Sequence, residues 1–308
     1  MNMPRLLPRR WRNRAEDERH AEAIADVLRT PPIIARNDGL VIFSMIGTAT
    51  LLPYLVAVKS LWAELGRGRI AILDDGTLTA QDRAILAHHC GDPEIIAIAA
   101  VKLAGLPTSR VWTRLFTMLD RRRAEYWIHL DCNTVTIASV PELVQAVARN
   151  RSFLLPAGQD ADKTVLPLDE YTAQTYPDGP VDGEALAAIE SRLDQLGHTD
   201  WRYIRGNPAL LGFAAGGTGQ RFAGAFLDHL KRLLGEEVIH ASGAEQAVAS
   251  FQIANDRDAV LLPCERYCDY RARPWGPQVA FLNFAGDLRH LDDAYAAVSR
   301  KVIEKLTS

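Results

Sequence analysis

The sequence is poor in cysteine and lacks any long apolar segment. Its 308 residues include 4 scattered cysteines, which excludes a disulfide scaffold and is typical of a reduced, cytoplasmic protein. No run of about 18 apolar residues occurs, so no membrane-spanning helix is predicted. The 21 glycines and 16 prolines follow no period, which excludes collagen and indicates an ordinary globular chain.

Charge is distributed unevenly along the chain. The whole sequence has a formal net charge of −3, which argues against a general nucleic-acid-binding surface. Residues 1–14 nevertheless contain five arginines and no acidic residue. This basic arm has no apolar segment of the kind that secretory signals carry. We predict a solvated terminus, and a peripheral contact with anionic lipid or with a partner is the alternative.

Apolar runs alternate with helical patterns through the first half of the sequence. A polar helix is predicted over residues 15–29, before Pro31 and Pro32, so residues 1–36 are interpreted as a basic arm and an N-terminal helix. Four buried strands, with helices between them, are then predicted at Leu40–Ile46, Ile70–Leu73, Ile95–Ala99 and Tyr126–Leu130. This alternation favours parallel βαβ units. Residues 37–308 are therefore predicted to form one α/β domain with a mainly parallel, Rossmann-like sheet flanked by helices.

The second half of the sequence is less regular. Residues 156–182 contain four prolines, and residues 159–200 carry ten acidic residues against Lys163 and Arg192. A solvated insertion explains this composition, and a lid or acceptor-binding segment is the functional alternative. Strands are then predicted near 209–213, 259–262 and 279–284, and helices near 218–234, 243–255 and 290–306. We therefore expect an irregular C-terminal half.

Ligands of open α/β sheets bind beyond the carboxyl ends of the strands, and three of the predicted ends are rich in polar side chains. Ser44 precedes a hydroxyl-rich turn into a helix, where a nucleotide or phosphate contact and an ordinary tight turn are both open. No G-x-G-x-x-G follows, so the dinucleotide fingerprint is absent. Asp74 and Asp75 end the second strand and are candidates to bind a nucleoside, although a turn and a helix cap would also explain them.

The strand that ends at Leu130 is followed by Asp131, Cys132 and Asn133. Alternate residues at a strand end point to the same side, so Asp131 and Asn133 are candidates to hold a divalent cation that bridges a diphosphate. A strand end with a turn cap is the alternative. Three cations upstream are candidates for phosphate binding, with a solvated face as the alternative: Lys102, Arg110 and Arg114.

The C-terminal half contains three further polar segments. Asn207 precedes an apolar strand, Glu245 and Gln246 fall in the first turn of a predicted helix, and residues 283–289 end in Arg289. A carboxylate in the first turn of a helix is stabilised by the helix dipole, so a structural role for Glu245 is open.

In this order, the segments resemble the GT-A-type glycosyltransferases, in the neighbourhood of the family 8-like nucleotide-sugar transferases. The resemblance extends from about Val41 to Ile303. The pieces that carry it are Ile70–Asp82, Arg114, Tyr126–Asn133, Asn207–Gly212, Ser242–Ala247 and Asn283–Arg289. None of these segments alone is specific for the family, and the resemblance depends on their order along the chain.

The resemblance implies a hexosyltransferase that moves a sugar from a nucleoside-diphosphate-sugar donor to a hydroxyl of a glycan or other acceptor. A donor half would span residues 37–150 and an acceptor half residues 151–308. Together with the strand-end patterns, it implies donor contacts from Ser44, Asp74, Asp75, Lys102, Arg110, Arg114, Asp131 and Asn133. It further implies acceptor contacts from Asn207 and Gln246, a diphosphate contact from Arg289, and a catalytic or acceptor-orienting role for Glu245.

Two positions depart from the family pattern at a divalent-cation site. The resemblance implies Mn²⁺ or Mg²⁺ on Asp131, Asn133 and Asn283, but Asn133 replaces a second carboxylate and Asn283 replaces a histidine. The loss of one charge and one imidazole predicts weak or absent cation binding. These substitutions favour an alternative without activity, a GT-A-shaped nucleotide-binding or assembly protein. An NAD-dependent enzyme is a second alternative, which the missing glycine fingerprint disfavours.

Overall fold

The computed structural model describes residues 9–307 except 104, 106, 108, 158–163, 218, 273–274 and 287–288, with side chains from residue 14 onward. The helices are α1 (Arg9–Ala23), α2 (Leu51–Leu65), α3 (Ala80–His89), α4 (Arg110–Arg121), α5 (Pro141–Ala148), α6 (Leu168–Thr175), α7 (Ala185–Glu190), α8 (Gln220–Leu234), α9 (Glu236–His240), α10 (Ala244–Ala254) and α11 (Ala294–Thr307). The strands are β1 (Leu40–Ile46), β2 (Arg69–Asp74), β3 (Glu94–Ala97), β4 (Tyr126–Leu130), β5 (Thr134–Thr136), β6 (Phe153–Pro156), β7 (Leu166–Pro167), β8 (Arg202–Tyr203), β9 (Gly206–Phe213), β10 (Val260–Leu261), β11 (Tyr267–Asp269) and β12 (Phe281–Asn283).

The centre of the molecule is a seven-stranded sheet in the order β10-β6-β9-β4-β1-β2-β3. The strands β3, β2, β1 and β4 run parallel to one another, and β10 runs parallel to β6. Only β9 is antiparallel to its neighbours, β4 and β6. The mainly parallel, Rossmann-like sheet predicted from the sequence is therefore confirmed. The pairing of β4 with β9 joins the two halves of the chain in one sheet.

The two central strands β1 and β4 are apolar on both faces. Every residue of β4 is buried, and Met45 is the one residue of β1 that is partly exposed. Apolar clusters cover the two faces, with Ile42 and Ile128 in one cluster and Phe43 and Trp127 in the other. A strand between two layers of helices loses water on both sides, which explains why each of these strands is apolar apart from one buried polar residue, Ser44 in β1 and His129 in β4.

Local signals in the sequence fix the helix ends next to the sheet. The helix α2 stops at Gly66, whose φ of 65° is left-handed and favours glycine. Thr79 caps α3, because its Oγ1 accepts a hydrogen bond from the Asp82 backbone N–H at 3.1 Å. The Asp82 carboxylate in turn accepts from the Thr79 backbone N–H at 2.8 Å, which completes a capping box. These contacts define the loop that follows β2.

The second half contains elements that the sequence pattern did not predict. Within the stretch expected to be loop, Leu168, Tyr171 and Thr172 are buried at helical spacing and form α6, and α7 follows in the acidic region. Residues 158–163 of that region lie outside the described residues. The strand predicted near 279–284 is present as β12, but it pairs with β11 and with β5 of the first half, which were not predicted, in a separate small sheet whose strands have only three residues each. Strands this short carry no readable period.

The N-terminal helix differs from the expectation in its position. It begins at Arg9, so part of the predicted basic arm is helical, and a short 3₁₀ helix over Ala25–Arg29 follows it. The first part of the arm, residues 1–8, lies outside the described residues. Among the described residues, no helix has both the length and the apolar character needed to cross a membrane.

Candidate functional site

A small cleft lies between α4, β4, β9 and the first turns of α10. Apolar side chains, among them Met118, Leu211 and Phe213, form part of its wall. The polar side chains that line it are Arg114, His129, Asn207, Glu245, Gln246 and Ser250. The fold thus brings together four residues that the sequence predicts in three separate segments: Arg114, Asn207, and the neighbours Glu245 and Gln246.

The first turn of α10 places Glu245 in the cleft. Gly243 precedes the helix with a φ of 97°, and a Cβ there would lie 3.3 Å from the Leu186 Cβ, so the entry into the helix favours glycine. The Gly243 N–H donates to Glu245 Oε2 at 3.1 Å. Glu245 is 8% exposed, and its Oε1 makes no hydrogen bond to a described residue. The carboxylate therefore caps its own helix and keeps one oxygen available to a ligand.

Two side chains of the cleft connect the start of β9 to α10 through hydrogen bonds. The Gln246 Nε2 donates to the Gly206 carbonyl at 2.5 Å, and the Gly206 N–H donates to Ser250 Oγ at 3.0 Å. Asn207 follows directly, and its Oδ1 accepts from the Ala209 N–H at 3.0 Å. These bonds fix Asn207 at the edge of the cleft, next to Glu245 and Gln246.

The strand β4 contributes His129 within the strand and Asp131 directly after it. Side chains two residues apart on a strand point to the same face. Burial, together with the charge of Arg114, holds the pKa of His129 well below its ordinary value, so the ring is neutral. Asp131 lies at the carboxyl end of β4, where the sequence predicts it.

Arg114 is the central cation of the cleft. It extends from α4, and it interacts electrostatically with both Asp131 and Glu245. Burial lowers the pKa of its guanidinium, and the two carboxylates oppose this shift, so the group stays charged. Arg114 makes no hydrogen bond to a described residue. A guanidinium in this state is available to bind an anionic group of a ligand.

A second polar cluster adjoins the cleft at the ends of β11 and β12. The Asp269 Oδ1 accepts hydrogen bonds from Asn207 Nδ2 at 2.7 Å and from Asn283 Nδ2 at 2.8 Å. The Asn283 Oδ1 is buried and has no hydrogen-bond partner among the described residues. Because Asn207 belongs to both groups, the cleft and this cluster form one continuous polar surface.

The residues implied to hold a divalent cation do not fit a tightly bound ion. The Asn133 Oδ1 faces Arg289 Nη1 at 3.5 Å, so a guanidinium already stands beside one ligand position. Asp131 is the single carboxylate of the set, and its Oδ1 accepts from the Cys132 N–H at 2.8 Å. Within the described part of the chain, no group of three His, Cys, Asp or Glu side chains is arranged to hold a metal.

The N-terminal helix anchors Arg289 beside Asn133. The Arg289 Nη2 donates to Asp17 Oδ1 at 2.7 Å, and the His290 Nε2 lies 2.7 Å from the same oxygen. The predicted diphosphate contact is therefore oriented by α1, a segment with no predicted role in the site.

The predicted donor residues at the end of β2, Asp74 and Asp75, are engaged mainly in local structure. The Asp74 carboxylate accepts from the Gly76 N–H at 2.8 Å and forms an ion pair with Arg83. Asp75 accepts from the Thr77 N–H at 3.0 Å and forms an ion pair with Arg110 at 3.1 Å. These contacts match the turn alternative for Asp74, and they bring Asp75 and Arg110 together.

Two predicted donor residues lie apart from the cleft. Ser44 is 0% exposed, and its Oγ donates to the Leu130 carbonyl at 2.7 Å. The hydroxyl ties β1 to β4 inside the sheet, so the geometry does not support a nucleotide contact by Ser44. Lys102 is exposed on the loop between β3 and α4 and makes no hydrogen bond to a described residue.

Sequence reasoning missed three members of this surface, His129, Ser250 and Asp269. The position of His129 two residues before Asp131 was an available signal, because the two alternate on one strand. Asp269 had no such signal, since it lies on β11, which is too short to show a pattern.

The fold of this chain is similar to that of the galactosyltransferase LgtC. A structure of LgtC in complex with donor and acceptor sugar analogs matches with a TM-score of 0.53 and 13% identity, over 87% of this chain and 96% of LgtC. A second structure, an active-site glutamine-to-glutamate mutant of LgtC, gives a TM-score of 0.50 and 11% identity over 87% and 96% of the chains. No family model and no curated protein matches the chain. At these identities the likeness concerns the fold, and the GT-A-like fold expected from the sequence is confirmed.

Proposed function

We propose that the chain is a glycosyltransferase of the hexosyltransferase type, which moves a sugar from a nucleoside-diphosphate-sugar donor to an acceptor hydroxyl. The observation that carries the proposal is the convergence of Arg114, Asn207, Glu245 and Gln246 in one cleft near the carboxyl end of β4. The fold supports it, since LgtC is a galactosyltransferase whose structure contains donor and acceptor sugar analogs.

The donor diphosphate binds, in this proposal, between Arg114 and Arg289. Arg114 acts electrostatically on Asp131, and Arg289 lies 3.5 Å from Asn133 Oδ1, so both guanidiniums lie at the end of β4. Planar guanidiniums form paired hydrogen bonds with phosphate oxygens. They also stabilise the negative charge that develops on the leaving diphosphate as the sugar bond breaks. Binding of the donor therefore does not require a resident divalent cation.

The acceptor occupies the part of the cleft next to α10. Glu245 Oε1 is available to orient the acceptor hydroxyl and to take its proton as the new bond forms. Asn207 and Gln246 add amide groups, and sugar hydroxyls can both donate to and accept from such groups. An active-site glutamine is also named for LgtC, and Gln246 is the glutamine among the residues that line this cleft.

Stabilisation by ligands tests the donor class. The thermal midpoint of the purified chain is measured with UDP, GDP and NAD⁺, each with and without Mn²⁺. We expect UDP or GDP to raise the midpoint without Mn²⁺, since a ligand at 100 times its Kd stabilises by about 2.7 kcal/mol. Stabilisation by NAD⁺ alone would contradict the proposal.

A matched pair of arginine variants locates the binding site. Arg114→Met should abolish the stabilisation by nucleotide. Arg123→Met should retain it, because the Arg123 side chain is 72% exposed and does not line the cleft. Equal stabilisation of both variants would place the nucleotide elsewhere.

Nucleotide binding without transfer is a second candidate function, which the amides Asn133 and Asn283 favour. Release of nucleoside diphosphate from a panel of nucleotide sugars separates the two. Turnover, with or without an added acceptor, supports the enzyme. Saturable binding of the nucleotide with no turnover on any donor and acceptor pair supports the binding protein.

A further inference from the structure

Asp269 is a carboxylate beside the cleft that has no role in the proposed mechanism. It ends β11, and the register of the small sheet pairs it with Asn283 of β12. The residue is partly exposed, and it is hydrogen-bonded to Asn207, which lines the cleft. Asp269 therefore borders the part of the cleft that the acceptor occupies in the proposed function.

Two buried amides hold one oxygen of this carboxylate. Asp269 Oδ1 accepts from Asn207 Nδ2 at 2.7 Å and from Asn283 Nδ2 at 2.8 Å. Asn207 is 8% exposed and Asn283 is 3% exposed, so both bonds lie on the protein side of the group. Asp269 Oδ2 makes no hydrogen bond to a described residue. The carboxylate is thus held in one orientation, and its second oxygen is left to a ligand.

The same contact decides which end of the Asn207 amide faces which neighbour. A carboxylate only accepts hydrogen bonds, so Asn207 presents its nitrogen to Asp269 and its Oδ1 to the Ala209 N–H, which donates at 3.0 Å. An amide nitrogen carries two hydrogens, so one N–H of Asn207 remains beyond the bond to Asp269. Asp269 therefore fixes Asn207 as a hydrogen-bond donor beside Glu245 and Gln246.

The charge of Asp269 is not compensated within the described part of the chain. The carboxylate of Asp256 is paired with Arg122, whereas no described basic side chain forms an ion pair with Asp269. A negative charge here repels the diphosphate of a donor. It suits a neutral ligand that donates hydrogen bonds, and the bond between a hydroxyl and a carboxylate is short and strong.

We propose that Asp269 binds a hydroxyl of the acceptor sugar through Oδ2 and positions Asn207 through Oδ1. This inference rests on the proposed function, which supplies the acceptor. The acceptor hydroxyl donates to Asp269 Oδ2, and the remaining N–H of Asn207 donates to the same sugar. Asn283, at a position implied to bind a divalent cation, holds Asp269 in place instead.

Nuclear magnetic resonance titrations with simple sugars test the contact in the full chain. The probes are methyl β-D-galactopyranoside, methyl β-D-glucopyranoside and methyl α-D-mannopyranoside, each with UDP or GDP present. The wild type should bind at least one probe, and Asp269→Asn should weaken its Kd by about tenfold or more. The matched control Glu265→Gln, at an exposed glutamate just before β11, should bind as the wild type does. Equal binding by all three proteins, or none by the wild type, overturns the proposal.

A second measurement uses the wild type alone, in case Asp269→Asn does not fold. Among monodeoxy analogues of the bound probe, one should bind at least about tenfold more weakly, because it leaves the carboxylate unpaired. Analogues that all bind as the parent sugar does overturn the proposal.

Kinetics separate a sugar contact from a general structural effect. With the donor found in the nucleotide-sugar panel, Asp269→Asn should raise the acceptor KM at least about tenfold and leave hydrolysis of the donor within about twofold of the wild type. A rise in the donor KM instead would overturn the proposal. Failure of the proposed function has a different signature, since the wild type would then show no stabilisation by UDP or GDP.

Discussion

The carboxylate of Glu245 both caps α10 and lines the cleft. If capping were its only role, Glu245→Gln would cost about 0.3–1 kcal/mol of stability and leave turnover unchanged. We expect instead that turnover falls by about 100-fold or more while the fold survives, because glutamine cannot take the proton of the acceptor. Transfer assays with the donor identified by the nucleotide panel measure this effect.

The matched control for that substitution is Glu237→Gln on α9, where the glutamate is exposed. It should leave turnover at the wild-type level. If Glu245→Gln also left turnover unchanged, Glu245 would have no part in the chemistry and would be a helix cap only.

The amides Asn133 and Asn283 determine the expected response to metal ions. With Arg289 3.5 Å from Asn133 Oδ1, we expect no micromolar Mn²⁺ binding by the wild type without nucleotide. Asn133→Asp combined with Asn283→His restores one charge and one imidazole, so it should bind Mn²⁺ more tightly. Calorimetry with Asn133→Asp alone as the control measures the gain. Unchanged affinity in the double variant would show that the resemblance is misplaced at these two positions.

Single residues were predictable where a side chain follows a recognisable element. Glu245 and Gln246 open a predicted helix, and Asp131 follows a strand whose ends the sequence predicts, so their placement in the structure agrees with the pattern. Ser44 shows the limit of this reasoning, because alternation along a strand does not tell a pocket from the interior of the sheet. Its hydroxyl donates a hydrogen bond to the Leu130 carbonyl inside the sheet.

At the scale of elements, the capping box of α3 links the segment after β1 to the loop after β2. The Asp82 carboxylate accepts from Thr48 Oγ1 at 2.6 Å and from the Thr79 N–H at 2.8 Å. Burial raises the pKa of this carboxyl, but the hydrogen bonds outweigh burial, and the pKa lies below its ordinary value of 3.8. The ionised group therefore stabilises the folded state.

Asp82→Asn should expose this contribution through its pH dependence. A carboxyl with a lowered folded pKa contributes its full stability above the unfolded pKa and loses it as pH falls through the folded pKa. The free energy of unfolding of the variant should therefore be lower than that of the wild type near pH 7, and the difference should shrink below about pH 4. Urea titrations across this range measure it. Asp178→Asn, at an exposed turn, is the control, and a difference that grew toward low pH would contradict the assignment.

Elements with a nearly continuous apolar run were predictable, including the short strands β10 and β12, whereas the pairing partners of the strands and the strands β5 and β11 were not. The bounds of β4 agree with the sequence prediction because all five of its residues are buried. The direction of β9 depends on the strands that it pairs with. Its antiparallel pairing with β4 and β6 is set by tertiary contacts, which no local sequence pattern encodes. Asp269 was inaccessible to sequence reasoning for the same reason, since β11 exists only through its pairing with β12.

At the scale of the whole molecule, a buried ion pair joins the proposed donor and acceptor halves. Arg122 directly follows α4, and its Nε donates to the Ala214 carbonyl at 2.8 Å. Its Nη2 forms an ion pair with Asp256, after α10, at 2.6 Å. Gly217 makes room for the guanidinium, because a Cβ there would lie 2.2 Å from Arg122 Cζ. With the continuous sheet, this contact favours unfolding of the two halves together.

Arg122→Met tests that coupling. The Arg122 side chain is 1% exposed and that of Asp256 is 10% exposed, so the substitution leaves a buried carboxylate without its cation and should cost about 3–5 kcal/mol. Adding Asp256→Asn should recover part of the loss, because it removes the unpaired charge. Arg123→Met, at the neighbouring exposed arginine, should change stability by less than about 0.5 kcal/mol. Calorimetry should show a single unfolding transition for the wild type and a single transition at a lower temperature for Arg122→Met. Two separated transitions in the wild type would mean that the halves unfold independently and that Arg122 stabilises only one of them.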